Sequence, residues 1–264
     1  MSLQRKVVLQ VTNLLTPLLC GLVFIVSGVQ ATESVFTDTY PKLLSPAGFT
    51  FAIWGPIFIF QAAFYFYQAR DLYLPAERKL DMPYVEEVGP FFPLSWLSTT
   101  VWFILWAAGL IWPAIAAMYA YLLTTLAAYL RLGINLRERS LREHLFVTVG
   151  WSMLAGWVTA ATIVNTTTGL VSAGFNPAPI GEAGWTIVVL TMTLIIYLLV
   201  LFTRNDYVFA GVGGWALLGI LAERLNPANS PQPEVTLFAA AALCAAAVII
   251  IVRFVRRSAK SQEM

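Results

Sequence analysis

Residues 183–203 read AGWTIVVLTMTLIIYLLVLFT, with Glu182 before them and Arg204 after them and no charge between. As a helix this segment rises about 30 Å at 1.5 Å per residue, the thickness of a bilayer's hydrocarbon core. No face of such a helix is polar enough to meet water, so the segment reads as a transmembrane span. Working outward, seven more apolar stretches of similar character appear, at roughly 8–29, 48–68, 91–111, 113–132, 145–165, 207–223 and 234–252. The expected fold is therefore all-α, a polytopic membrane protein of eight helices. Trp112-Pro113 separates the third span from the fourth, and proline is tolerated at a helix start, so a tight hairpin is expected there. The seventh span is short and carries Gly211, Gly213 and Gly214.

Composition supports this reading. Of 264 residues, 59% are hydrophobic and only 11% charged, against about 25% charged in soluble domains. The basic residues test the span count, because loops on the cytoplasmic side collect Lys and Arg. With eight spans, Arg5, Lys6, Arg70, Arg78, Lys79, Arg131, Arg137, Arg139, Arg142, Arg204, Arg253, Arg256, Arg257 and Lys260 fall on one side, and only Lys42 and Arg224 on the other. Removing the seventh span would move the basic tail to the wrong side. Both termini are thus expected in the cytoplasm. Residues 1–31 also resemble a signal peptide ending at Val29-Gln30-Ala31, but the apolar run is longer than a usual signal core, and a retained helix is the reading adopted.

Several function classes are disfavoured. No basic stripe supports nucleic-acid binding. No acidic or basic residue falls in the middle of a span; Glu182, Asp206, Glu223 and Arg224 sit at span ends. A proton-coupled pump, a voltage sensor or a charged filter would need such residues. No phosphate-binding glycine loop, zinc-protease motif or Ser/His/Asp set is present, so no catalytic residue is assigned. Cys20 and Cys244 read as free thiols. The single histidine, His144, lies in a charged stretch, so no metal site is assigned; Met153 is the one methionine placed near the aromatic region described next. The polar residues within spans, Thr12, Asn13, Thr16, Gln61, Ser98, Thr99 and Thr100, read first as interhelical hydrogen-bonding groups.

Because the spans alternate in direction, depth can be assigned. Trp54 and Phe58 of the second span, Trp102 and Trp106 of the third, and Trp157 of the fifth fall in the outer half of the membrane. Trp157 lies about 12 Å below Asn165 along its helix. Tryptophans of an interfacial belt sit at span ends, as Trp112 and Trp185 do, whereas Trp54, Trp102 and Trp157 lie deeper. The alternatives are a shared aromatic cavity and plain packing against lipid or neighbouring helices. Pro56, within the second span, favours a kink that opens space between helices.

Three segments resemble the TspO/MBR family, the tryptophan-rich sensory proteins that include the mitochondrial translocator protein. The second span, SPAGFTFAIWGPIF over 45–58, is similar to the family's proline-led segment, with Pro46, Gly55 and Pro56 in place and Phe58 where the family has tryptophan. Thr99-Thr100-Val101-Trp102 is similar to its Asn-x-x-Trp, with Thr99 for asparagine. Trp157 and Asn165 keep the family's eight-residue separation. The resemblance covers residues 1–166 and implies a five-helix bundle there, leaving 167–264 as a three-helix extension with a basic cytoplasmic tail. It also implies a cavity lined or supported by Trp54, Phe58, Trp102, Trp157 and Asn165, to which helical spacing adds Trp106. The implied ligand is a porphyrin or other tetrapyrrole, with a sterol or carotenoid as alternatives and no required cofactor, and the implied assembly is a homodimer. The expected function is ligand binding or sensing in a bacterial plasma membrane, with a thylakoid membrane as the alternative location. Three other functions remain open: a transporter of a small uncharged or amphipathic solute, an assembly subunit of a larger membrane complex, and an enzyme acting on a tetrapyrrole or isoprenoid through tryptophan radicals.

Overall fold

The computed structural model describes residues 3–27, 43–74 and 83–262, the side chains of Ser27, of Pro83 and of residues 257–262 excepted. Val29-Gln30-Ala31, Lys42, Arg78 and Lys79 lie outside the described residues. Within them the chain is all-helical. Helix α1 spans Leu3–Ser27. A 3₁₀ segment, Gly48–Ile53, runs into α2, Trp54–Ala69. The short α3, Pro83–Val88, precedes α4, Phe91–Ala107, and α5, Ile111–Arg131. Helix α6 runs over Leu141–Ser172 and contains a π-helical turn at His144–Thr148. It is followed by α7, Gly181–Arg204, α8, Tyr207–Arg224, and α9, Pro233–Gln262.

Six of these segments are long and apolar enough to cross a membrane: Leu3–Val26, Gly48–Leu72, Ile111–Arg131, Leu141–Ser172, Gly181–Arg204 and Pro233–Arg256. Helices α4 and α8 are shorter, at 17 and 18 residues. The third apolar stretch stops at Ala107 because Gly109 adopts a φ of +74° and turns the chain, a conformation that glycine takes at little cost. The hairpin is therefore centred on Gly109 rather than on Trp112-Pro113. Pro113 lies in the first turn of α5, where a missing backbone N–H leaves no bond unmade. The outward faces carry Leu18 and Leu22 on α1, Leu123 on α5, Ile195 and Leu199 on α7, and Val248 and Ile251 on α9, all exposed. Apolar side chains on this scale belong against lipid, and the protein is an integral membrane protein.

Helix α6 is the centre of the molecule. About 72% of its apolar window is buried, against 22–33% for the other five long segments. Its small residues, Gly150, Ala155, Gly156 and Ala160, let neighbours come close. Helices α2, α5 and α8 pack directly on it, α4 forms a hairpin with α5, α1 lies against α4 and α2, and α7 and α9 flank α8.

The helix ends are tied by polar contacts at one end of the bundle. Lys6 pairs with Asp71 at 2.9 Å, and Gln10 of α1 donates to Asp71 and to the carbonyl of Gln68. Arg137 and Arg139, after α5, pair with Glu87 of α3. The α7–α8 corner turns on Asn205, at a φ of +51°. Asp206 caps α8 by accepting from the Phe209 N–H at 2.9 Å, and it also accepts from Tyr129 of α5 at 2.8 Å and Ser152 of α6 at 2.7 Å. Arg253 of α9 donates to Asn205 Oδ1. The buried Asp206 side chain therefore joins three helices.

Candidate aromatic cavity

The 3₁₀-to-α junction at Ile53–Trp54 sets the site. Pro56 lies in the first turn of α2, just after that junction. The junction is held from the C-terminal helices. The Trp215 indole of α8 donates to the Thr50 carbonyl at 2.7 Å, and the Ala47 N–H donates to the Gly219 carbonyl at 2.9 Å. Gly219 permits this approach. A Cβ built there would lie 2.0 Å from Thr50 Oγ1 and 2.9 Å from Thr50 Cβ, closer than real atoms pack.

Beneath this junction is a cavity of about 410 Å³, within the usual range for small-molecule sites. Trp54, Phe58, Trp102, Trp106, Trp157 and Asn165 all line it, as does Pro46. Gly55 and Pro56 do not, and neither does Met153, which packs against the core instead. The rings form two contacting groups, one around Trp54 and Trp157 and one at Trp102. Phe58 stacks on Trp54 at 5.3 Å and on Trp96 at 6.2 Å. Trp157 meets Trp54 edge-on at 6.1 Å and Phe51 edge-on at 5.6 Å. Trp102 and Trp106 lie 6.0 Å apart. Such pairs each add about 0.5–1.5 kcal/mol beyond area burial, so the array is held stiffly.

Asn165 sets the angle of one wall. Its Oδ1 accepts from Trp102 Nε1 at 2.9 Å, while its amide donates to the Ala161 carbonyl at 2.9 Å. Asn165 lies eight residues, about 12 Å, along α6 from Trp157, and spacing gave no sign of its pairing with Trp102. Phe58 is the least enclosed of the six, at 50% exposure, and closes the flank rather than the floor.

Sequence reasoning missed two parts of the cavity. Trp96 sits six residues before Trp102, a separation that puts it on another face of α4, so periodicity had no signal for it. The opposite wall comes from α7 and α8, through Leu190, Thr193, Gly213 and Leu217. Only the threonine among these is polar, and their neighbours read as ordinary span residues. His144 lies far along α6, with Nδ1 2.8 Å from Thr148 Oγ1. Among the described residues, no group of three or more His, Cys, Asp or Glu side chains could hold a metal ion.

A family model described as TSPO-like protein matches residues 8–255. The chain belongs to the TSPO-like protein family. The match runs from α1 into α9, so it takes in α7 and α8, whose motifs had no counterpart in the resemblance noted above. No curated protein and no solved structure matches the chain. For this TSPO-like protein, the cavity wall supplied by α7 and α8 lies within the family match, not beyond it.

Proposed function

We propose that this TSPO-like membrane protein is a binding or sensory protein for a hydrophobic, conjugated small molecule held in the aromatic cavity. Tetrapyrroles are the first class to test, with sterols and carotenoids after them. The observation that carries the reading is the convergence of Trp54, Trp96, Trp102, Trp106 and Trp157 on one cavity whose surface is mostly apolar. A flat conjugated molecule gains both from burial of apolar area and from stacking on indole faces. Eight crossings accompany this reading, with both termini in the cytoplasm of a bacterial cell. The alternation of helix directions supports it: Lys6, Asp71, Glu87, Arg137, Asn205 and Arg253 meet at one end of the bundle.

Tryptophan-fluorescence titration of the purified protein with protoporphyrin, a bilin and a carotenoid tests the reading. Saturable quenching by one of them, weakened at least tenfold in the Trp54→Ala/Trp157→Ala double variant, is the expected result. Quenching that never saturates, or an unchanged affinity in the double variant, removes the cavity as a binding site.

A further inference from the structure

We infer that Arg224 is an anion subsite at the mouth of the aromatic cavity, and that the cavity takes a flat, apolar molecule whose carboxylate ends on this arginine. This rests on the binding function proposed above and adds the polarity of the ligand and the residue that orients it.

The position follows from the register of α8. The cavity reaches the end of the bundle opposite the Lys6–Asp71 pair. Ala107, the last residue of α4, lines it and is exposed. Thr168 and Ile220, each four residues before the end of its helix, line it as well. On α8 the lining positions are Gly213, Ala216, Leu217 and Ile220, which share one helical face. Arg224 is the next position on that face, one turn and about 6 Å beyond Ile220. Side chains on a helix lean toward its N-terminus. Arg224 therefore leans back over the turn of Ile220, toward the cavity.

The chemistry follows from what surrounds the guanidinium. Among the described residues Arg224 is the only cation at this end of the bundle. It is partly exposed and makes no hydrogen bond or ion pair with another described residue. The other charged side chains described at this end are Glu182, Glu223 and Glu234. Glu223, its neighbour in the chain, accepts from Asn229 Nδ2 at 2.8 Å and so turns toward the loop after α8. The cations of the opposite end are placed differently: Lys6 pairs with Asp71, and Arg137 and Arg139 pair with Glu87. A guanidinium offers a carboxylate two parallel, charge-assisted hydrogen bonds. The apolar frame of the same molecule is then buried among the rings beneath it. Protoporphyrin and bilins, the tetrapyrroles to be tested first, carry carboxylates on an apolar conjugated frame and meet both demands.

The test uses the full chain in phosphatidylcholine nanodiscs and two probes sharing one ring system: 3-(9-anthryl)propanoate and its methyl ester. Binding is read by energy transfer from tryptophan and corrected for partitioning into empty nanodiscs. At low salt the propanoate is expected to bind about three- to tenfold tighter than the ester, the equivalent of one charge-assisted hydrogen bond partly screened by solvent. Arg224→Gln should bring that ratio to about one. Arg224→Lys, which keeps the charge but not the fork, should leave part of it. The ratio is taken within each variant, so a general loss of affinity cancels. Phenylglyoxal labelling of the unmodified protein, read at Arg224 by mass spectrometry, gives the same contrast without a variant. At equal occupancy the propanoate should slow that labelling several-fold, and the ester should not. A ratio near one in the unmodified protein, a ratio that survives Arg224→Gln, or labelling slowed equally by both probes overturns the anion subsite while leaving cavity binding intact. Failure of both probes to saturate overturns the binding reading itself, and this inference with it.

Discussion

At the scale of single residues, two polar side chains do work that their positions in the sequence do not announce. Asn165 satisfies the Trp102 indole while its own amide is held by Ala161. Asn165→Leu should therefore leave a buried N–H unmet, cost about 1–3 kcal/mol, and broaden Trp102's emission as the ring loses its fixed angle; thermal unfolding in detergent and single-tryptophan fluorescence check both. Asp206 is 1% exposed and receives three hydrogen bonds. Asp206→Ala would strand Tyr129 Oη, Ser152 Oγ and the Phe209 N–H together, so its destabilisation should exceed that of Tyr129→Phe by at least about 1 kcal/mol. An equal loss in the two variants would show that the carboxylate is not the hub. At this scale the sequence showed that these residues are polar and near span ends or cavity depth. It did not show their partners on other helices, because those partners lie 54 to 77 positions away.

Among elements, the decisive contact is between α8 and the 3₁₀ segment before α2. Glycine at 219 lets the two backbones touch, and the Ala47 N–H bond to its carbonyl depends on that distance. Gly219→Ala should lower stability by about 1–3 kcal/mol, the usual cost of overpacking, and weaken ligand binding by shifting the α8 wall. Gly211 is on the same helix, and a Cβ there meets nothing within 4 Å. Gly211→Ala should be neutral or stabilising by up to about 1 kcal/mol, as expected for a helix interior. Comparing the two melting curves separates close packing from helix propensity. Within the glycine-rich stretch 211–214, Gly213 comes close to the Tyr197 ring of α7, where a Cβ would lie 2.5 Å from it, and Gly219, five positions after that stretch, makes a still tighter approach to another element. Composition marks where small residues are, whereas the contact depends on which face the helix turns inward.

For the whole molecule, α6 is the axis and the C-terminal helices are part of the wall around the cavity. Residues 1–166 alone would lose Trp215, Gly219 and Asp206, and with them the bonds to Thr50, Ala47, Tyr129 and Ser152. A fragment ending at residue 176 should accordingly be protease-sensitive in membranes and fail to bind the probes, while co-expression with residues 177–264 restores both. A fragment that binds normally would mean that the first part folds as an independent unit. The topology is checked by reporters fused at Gly133 and Gly174, which should report opposite sides of the membrane, with Gly133 on the cytoplasmic side.

Sequence alone determined that this chain lives in a bilayer and roughly where its helices lie. Those properties are local. Hydropathy over about 20 residues sets a span, and a rise of 1.5 Å per residue sets its length. The tertiary structure decided that the Gly109 turn ends α4 early, that Trp96 joins the array, and that α7 and α8 close the cavity. Each of these depends on the rotation of one apolar helix against another. In a membrane both faces of a helix are apolar, so the amphipathic pattern that reveals the inward face of a soluble helix is absent.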